Sequence, residues 1–178
     1  MTGTFIQKVC LLGRPAVGKT QVVERFVHNA FDGHYIQTIG INIVSRREAL
    51  RFKKQDYVIT DLIWDINGKF LDSQPNLLRT YLQGTSGVIV MYDATNRATV
   101  AELTATLRQL KEFWREVPVV FLANKVDLED TVRLEERVLS GIASEWDADY
   151  FYTSAKTGKN IPAAFTALNK AIIARGCI

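Results

Sequence analysis

The run Gly13-Arg14-Pro15-Ala16-Val17-Gly18-Lys19-Thr20 constrains this chain more than any other stretch of it. It is a complete G-x-x-x-x-G-K-T pattern. The apolar, β-prone segment Phe5 to Leu12 precedes it, and Gln21 to Asn29 follows with Val22, Val23, Phe26 and Val27 grouped on one helical face. A strand that feeds a helix through a glycine-rich turn aims backbone N–H groups at one place and adds the positive end of the helix dipole. Such a place suits oxyanions. Gly18 lets the main chain come close, Lys19 brings a point charge to β/γ-phosphate oxygens, and the Thr20 hydroxyl is suited to Mg²⁺. An ordinary glycine turn with a solvent-facing lysine is the alternative, and the flanking strand and helix weigh against it. The pattern predicts a nucleoside triphosphate site.

The rest of the chain alternates in the same way. Ile39 to Phe52 and Tyr57 to Ile66 read as an antiparallel hairpin turning near Lys53-Lys54-Gln55-Asp56. Gly87 to Tyr92 and Val117 to Ala123 are nearly continuous apolar runs, as strands covered on both faces must be. Between them Val100, Leu103, Leu107, Leu110 and Trp114 recur at three- and four-residue spacing, predicting a crossover helix. Leu134 to Trp146 and Ile161 to Arg175 read as further helices, with a strand over Tyr150 to Thr153. The expected fold is α/β: a mostly parallel six-stranded sheet with one antiparallel edge strand and helices on both faces. Ligands of such sheets bind beyond the carboxyl ends of the strands.

Composition sets the remaining bounds. With 178 residues, 47% of them hydrophobic, the chain suits one domain spanning 1–178. The net charge is +3, but basic and acidic residues interleave except around Arg46, Arg47, Arg51, Lys53 and Lys54, so a solvated hairpin face is expected and nucleic acid is not. Cys10 and Cys177 make neither a disulfide framework nor a metal spacing, which suits a reducing compartment. No run approaches the roughly 20 apolar residues of a bilayer span. A cytoplasmic protein is expected, free or peripheral to membranes.

Two further motifs choose the base. Asn124-Lys125-Val126-Asp127 follows the strand ending at Ala123, and Ser154-Ala155-Lys156 follows the strand ending near Thr153. A carboxylate placed there accepts from both the ring N–H and the exocyclic amine of guanine, which adenine cannot reciprocate.

In this order the motifs resemble the small GTPases of the Ras superfamily, over essentially the whole chain. Gly13 to Thr20, Tyr35-Ile36-Gln37-Thr38-Ile39-Gly40, Trp64-Asp65-Ile66-Asn67-Gly68, Tyr81 to Asp93, Asn124 to Asp127 and Ser154 to Lys156 carry the likeness, and Tyr81 to Asp93 tilts it toward the Rab branch. The resemblance implies a P-loop NTPase G domain that takes GTP or GDP with Mg²⁺. Its nucleotide contacts would be Gly13, Pro15, Ala16, Val17, Gly18, Lys19, Thr20 and Gln21 in the loop, with Phe31, Tyr35, Thr38, Asp65 and Gly68. Asn124, Lys125, Asp127, Ser154, Ala155 and Lys156 complete the set. Phe31 would pack on the edge of the guanine, Asn124 and Asp127 would read it, and the Ala155 N–H would meet its O6. The metal would be held by Thr20, by Thr38 and, through water, by Asp65. Thr38 and Gly68 would reach the γ-phosphate, so that two switch regions near 31–42 and 65–80 order with it and present themselves to effectors, exchange factors and activating proteins. A monomer is expected.

Catalysis would fall to Lys19, Thr38, Gly68 and Lys69, and here the chain departs from the family. The usual turn is D-x-A-G-Q, whereas this one reads Asp65-Ile66-Asn67-Gly68-Lys69. Lysine has no acceptor with which to orient an attacking water, so tight GTP binding with slow hydrolysis is expected. A hydrolysis-deficient, nucleotide-holding scaffold is the alternative. A P-loop kinase is disfavoured by the guanine motifs. Pro15 and Ala16 replace a small residue and a glycine, and alanine is comfortable only if φ there is negative. Gln37 replaces a proline. The ending Arg175-Gly176-Cys177-Ile178 leaves too few residues after Cys177 for a prenylation box, which leaves three alternatives: the sequence stops short of one, the protein reaches membranes by another route, or it does not reach them.

Overall fold

The computed structural model describes residues 3–32, 39–97, 100, 101, 104, 105, 107, 108, 111, 116–128 and 136–176. Tyr35, Gln37 and Thr38 of the expected first switch lie outside the described residues, as do Leu103, Leu110 and Trp114 of the expected crossover helix. The strands are β1 (Gly3–Gly13), β2 (Ile41–Phe52), β3 (Gln55–Ile66), β4 (Gly87–Asp93), β5 (Val119–Asn124) and β6 (Asp149–Tyr152). They form one sheet in the order β2-β3-β1-β4-β5-β6. Every pairing is parallel except that of β2 with β3. The expected mixed sheet, with a single antiparallel strand at its edge, is therefore the fold.

Helices cover both faces because the central strands alternate between two apolar layers. On β1, Val9 and Leu11 face one core with Phe26, Phe165 and Leu168, while Cys10 and Leu12 face the other with Leu78, Leu82 and Leu139. On β4, Ile89 and Met91 join the first layer, and Val88, Val90 and Tyr92 the second. The first layer packs α1 (Lys19–His28) and the C-terminal helix Ile161–Arg175, whose Phe26 and Phe165 rings stack at 3.7 Å. The second packs the helices Pro75–Leu82 and Glu136–Glu145.

Two details differ from the expectation. The hairpin turn is tighter: Phe52 pairs with Gln55, so only Lys53 and Lys54 turn the chain, both with positive φ (48° and 66°). A two-residue turn of that hand matches the twist of the flanking strands. The short helix Phe70–Ser73 and the helix Pro75–Leu82 were not expected. Pro75 opens the second of them, and Lys8 of β1 closes it, donating to Tyr81 O at 2.6 Å and Gln83 O at 2.9 Å while lying over the Trp64 ring. A cation at a helix C-terminus is favourably placed.

Between the first layer and β2 and β3 lies a polar cluster. Gln7 Nε2 donates to Asp61 Oδ1 (2.6 Å) and Asn169 Oδ1 (2.7 Å), and Asn169 Nδ2 donates to Asp61 Oδ2 (3.0 Å) and Glu48 Oε1 (2.9 Å). Asp61 has no exposed surface. Burial pushes its carboxyl above the ordinary range against the bonds from Asn169 and Gln7 and the charge of Arg46. Burial and the Asp61 charge raise Glu48 as well.

Candidate functional site

The motifs meet at the carboxyl edge of the sheet. β1 ends at Gly13, and Asp65 lies near the end of β3, in register with Leu11 of β1. Asp93 and Asn124 end β4 and β5 as register partners, and β6 delivers Ser154 two residues beyond its end. Parallel strands of matched register thus bring residues 110 positions and more apart to one line.

The loop between β1 and α1 is held by backbone conformation. Gly18, at the N-cap of α1, has φ 96°, and Ala16 has φ 64°. The comfortable negative φ for alanine is not adopted: Ala16 takes a left-handed conformation that glycine occupies without strain, at a cost of about 1–2 kcal/mol. A glycine there would relieve the strain. The first turn of α1 carries no acidic side chain, so no carboxylate of its own offsets the positive end of the helix dipole.

Lys19 is buried, and its Nζ donates to Gly13 O at 2.9 Å and Arg14 O at 3.2 Å. Burial pushes its pKa down to about 8, against the pull of Asp65. Next to it Thr20 Oγ1 donates to Asp65 Oδ2 at 2.5 Å. A hydroxyl and a carboxylate brought together by α1 and β3 are the hard oxygen donors that Mg²⁺ takes, so the residues present fit that ion. Gly68 presses on the same loop: a Cβ there would lie 2.6 Å from both Gly13 O and Pro15 N, so no side chain fits. The turn after it is fixed by Asn67, whose Oδ1 accepts from Lys69 N at 3.0 Å and whose own N–H reaches Gly40 O at 3.1 Å. Lys69 itself is exposed.

On the base side Asn124 is a brace. It is buried, its Nδ2 donates to Val17 O at 3.0 Å, and its Oδ1 accepts from Ala155 N at 3.2 Å and Thr153 Oγ1 at 3.3 Å. Asp127 Oδ1 accepts from Ser154 Oγ at 2.6 Å, which sets the carboxylate's attitude, and Ser154 Oγ in turn accepts from Thr157 N. Lys125, with φ 71°, reaches back to Asp93 at 2.6 Å. Burial works to raise the Asp93 carboxyl, but the bonds from Lys125 and Thr95 outweigh it and hold Asp93 below its usual range. Phe31, 39% exposed, follows α1, and Gln21 Oε1 accepts from Asp32 N nearby. Lys156 is exposed.

One residue of this arrangement carried no motif. Arg25 of α1 donates through Nε to Ala155 O at 2.8 Å and through Nη2 to Lys156 O at 2.6 Å. Its acceptors are backbone carbonyls 130 and 131 positions away, so no residue pattern announces it.

A P-loop, a DxxG turn lying on it, and an N-K-x-D and an S-A-K loop joined through one asparagine define a guanine-nucleotide fold. Comparison with known proteins agrees. The profile of the Ras family matches residues 8–174. Ras-related protein Rab-10 of Diplobatis ommata is 34% identical over 173 residues, covering 97% of this chain and 84% of its own. Rab-22A of Mus musculus is 33% identical over 166 residues (93% and 82%), and Rab-7b of Mus musculus 30% over 165 (90% and 79%). The chain belongs to the Ras family and is a Rab-like small GTPase.

Proposed function

We propose that this chain is a single-domain GTP-dependent switch, residues 1–178, that holds GTP and GDP tightly with Mg²⁺ and hydrolyses GTP slowly. The observation that carries the reading is Asn124, whose carboxamide bonds Val17 O on one side and Ala155 N on the other and so makes the phosphate loop and the base loops one site. Lys19 and the N–H groups at the start of α1 would receive the phosphates, and Asp127, aimed by Ser154, would accept from guanine. Thr20 and Asp65 would hold Mg²⁺, together with Thr38. When bound, the ion neutralises phosphate charge.

Two features of the 65–69 turn support slow turnover. Lys69 lacks the acceptor that would orient a water, and its backbone N–H is engaged by Asn67, so the turn is tied in one shape. These same features favour the second reading, a hydrolysis-deficient scaffold that holds guanine nucleotide. The switch would act in membrane traffic or signalling, as a monomer in the cytoplasm or at membrane surfaces, and the likeness to Rab proteins supports the traffic reading. Effectors, exchange factors and activating proteins would read 31–42 and 65–80. Among the described residues no helix is long and apolar enough to cross a membrane.

Competition of GTP and ATP for the purified protein tests the base reading. Strong preference for GTP, lost in Asp127→Ala, is expected. Equal binding of the two nucleotides by the unmodified chain would remove Asp127 from its role.

A further inference from the structure

Arg25 does more than decorate α1. Its guanidinium contacts two segments that the guanine reading places against the base. Towards the S-A-K loop, Nε and Nη2 fork onto the successive carbonyls of Ala155 and Lys156. Towards the segment that leads to Phe31, Nη1 reaches Asn29 O at 3.1 Å and Asn29 Oδ1 at 3.3 Å, and Arg25 O accepts from Asn29 N. Asn29 caps α1 in a left-handed conformation with φ 53°, so this grip sets the angle at which the chain departs toward Phe31.

Gly158 and Asn160 both have positive φ, and a Cβ on Gly158 would lie 3.6 Å from Arg25 Cδ, so the arginine stem lies close over the loop backbone. The peptide N–H of Ala155 is held from the phosphate-loop side by Asn124, and its carbonyl from the α1 side by Arg25. Ala155 is thus clamped between the side chains of two elements, both tied to the loop that receives phosphate. The guanidinium delivers two separate nitrogens in one plane to the two carbonyls, a fixed fork that the single nitrogen of an ammonium does not reproduce.

From this we propose that Arg25 is a positioning residue for the purine end of the site: through the carbonyl it anchors Ala155 where its N–H, which here donates to Asn124 Oδ1 at 3.2 Å, is shared with O6 of guanine, and so sets how long the nucleotide stays. The inference rests on the guanine-nucleotide reading above. It separates Arg25 from a general brace, because its effect should follow the O6 contact and spare the phosphates.

The test compares release of GDP and of 6-thioguanosine diphosphate, which keeps the ring N–H and exocyclic amine but carries a poorly accepting sulfur in place of O6, from the full chain with Mg²⁺. In Arg25→Met, GDP release is expected to quicken about tenfold while release of the thio nucleotide changes by less than about twofold. Arg25→Lys, which keeps the charge and loses the fork, should fall between, and it serves as the sole variant if Arg25→Met does not fold. Equal acceleration of both nucleotides, or of neither, overturns the proposal. Failure of the unmodified protein to retain GDP would instead overturn the nucleotide reading beneath it.

Discussion

Gly18 and Asn124 interlock. A Cβ on Gly18 would lie 2.5 Å from Asn124 Nδ2, the atom that donates to Val17 O at 3.0 Å. Gly18 therefore answers two demands at once, a φ of 96° and a space filled by another loop's amide. The expected role of this glycine was close approach to phosphate, and the structure adds close approach to the base-side asparagine. Gly18→Ala should lower stability by about 2–4 kcal/mol, from left-handed strain together with the displaced amide bond. Urea unfolding measures it, and a loss below about 1 kcal/mol would mean that the two loops are not locked together.

Ala16 supplies the opposite change. Its φ of 64° strains an L side chain, and glycine removes that strain at some cost in unfolded-chain entropy. Ala16→Gly should raise stability by about 0.5–1 kcal/mol in the same unfolding experiment. A destabilised variant would show that the Ala16 methyl packs to more effect than its backbone conformation costs.

Lys19 gives nucleotide binding a pH dependence. Burial holds its pKa at about 8, and an arriving phosphate favours the charged amine and raises that value. Binding above pH 8 must therefore take up a proton, and affinity must fall as pH climbs from about 8 toward 10. Calorimetry of GDP binding at pH 8.5, in two buffers of different ionisation enthalpy, reports the proton directly. Net release of protons would contradict this account of Lys19.

Asp61 imposes a pH dependence on the fold itself. Its carboxyl is raised by burial, so the folded state prefers the protonated form. The stability this group contributes is present in full below the ordinary carboxylate range and is lost as pH rises through the raised value. Asp61→Asn cannot ionise, and it also removes one cause of the raised Glu48. The thermal stability of the variant relative to the parent should therefore improve as pH rises above the ordinary carboxylate range. A difference that stays flat or runs the other way would show that Asp61 keeps its charge at no cost among Gln7 and Asn169.

What the sequence disclosed follows the range of the interactions. The strands that carry the site were legible because Gly87 to Tyr92 and Val119 to Ala123 are buried on both faces and must be apolar throughout. The loops were legible because phosphate and guanine chemistry demands fixed residue types. The helices at 70–82 were not seen: Gln74-Pro75 breaks the run, and Leu78 and Leu82 are too few to show a period. Pro75 at the first turn was the available signal. Asp61 sits inside a good strand pattern, and only its partners on β1, β2 and the C-terminal helix reveal it as part of a buried polar cluster. Arg25 and the bracing role of Asn124 depend on backbone carbonyls and amides of distant loops, which every residue possesses and no letter of the sequence marks.

The most direct test of the account is single-turnover phosphate release from protein preloaded with GTP and Mg²⁺, comparing the unmodified chain with Lys69→Gln. The account expects GTP to stay bound and turn over slowly in the parent, and to be hydrolysed at least about tenfold faster once an acceptor for the water proton stands at position 69. Turnover in the parent already matching that of Lys69→Gln, or no retention of guanine nucleotide at all, would contradict it.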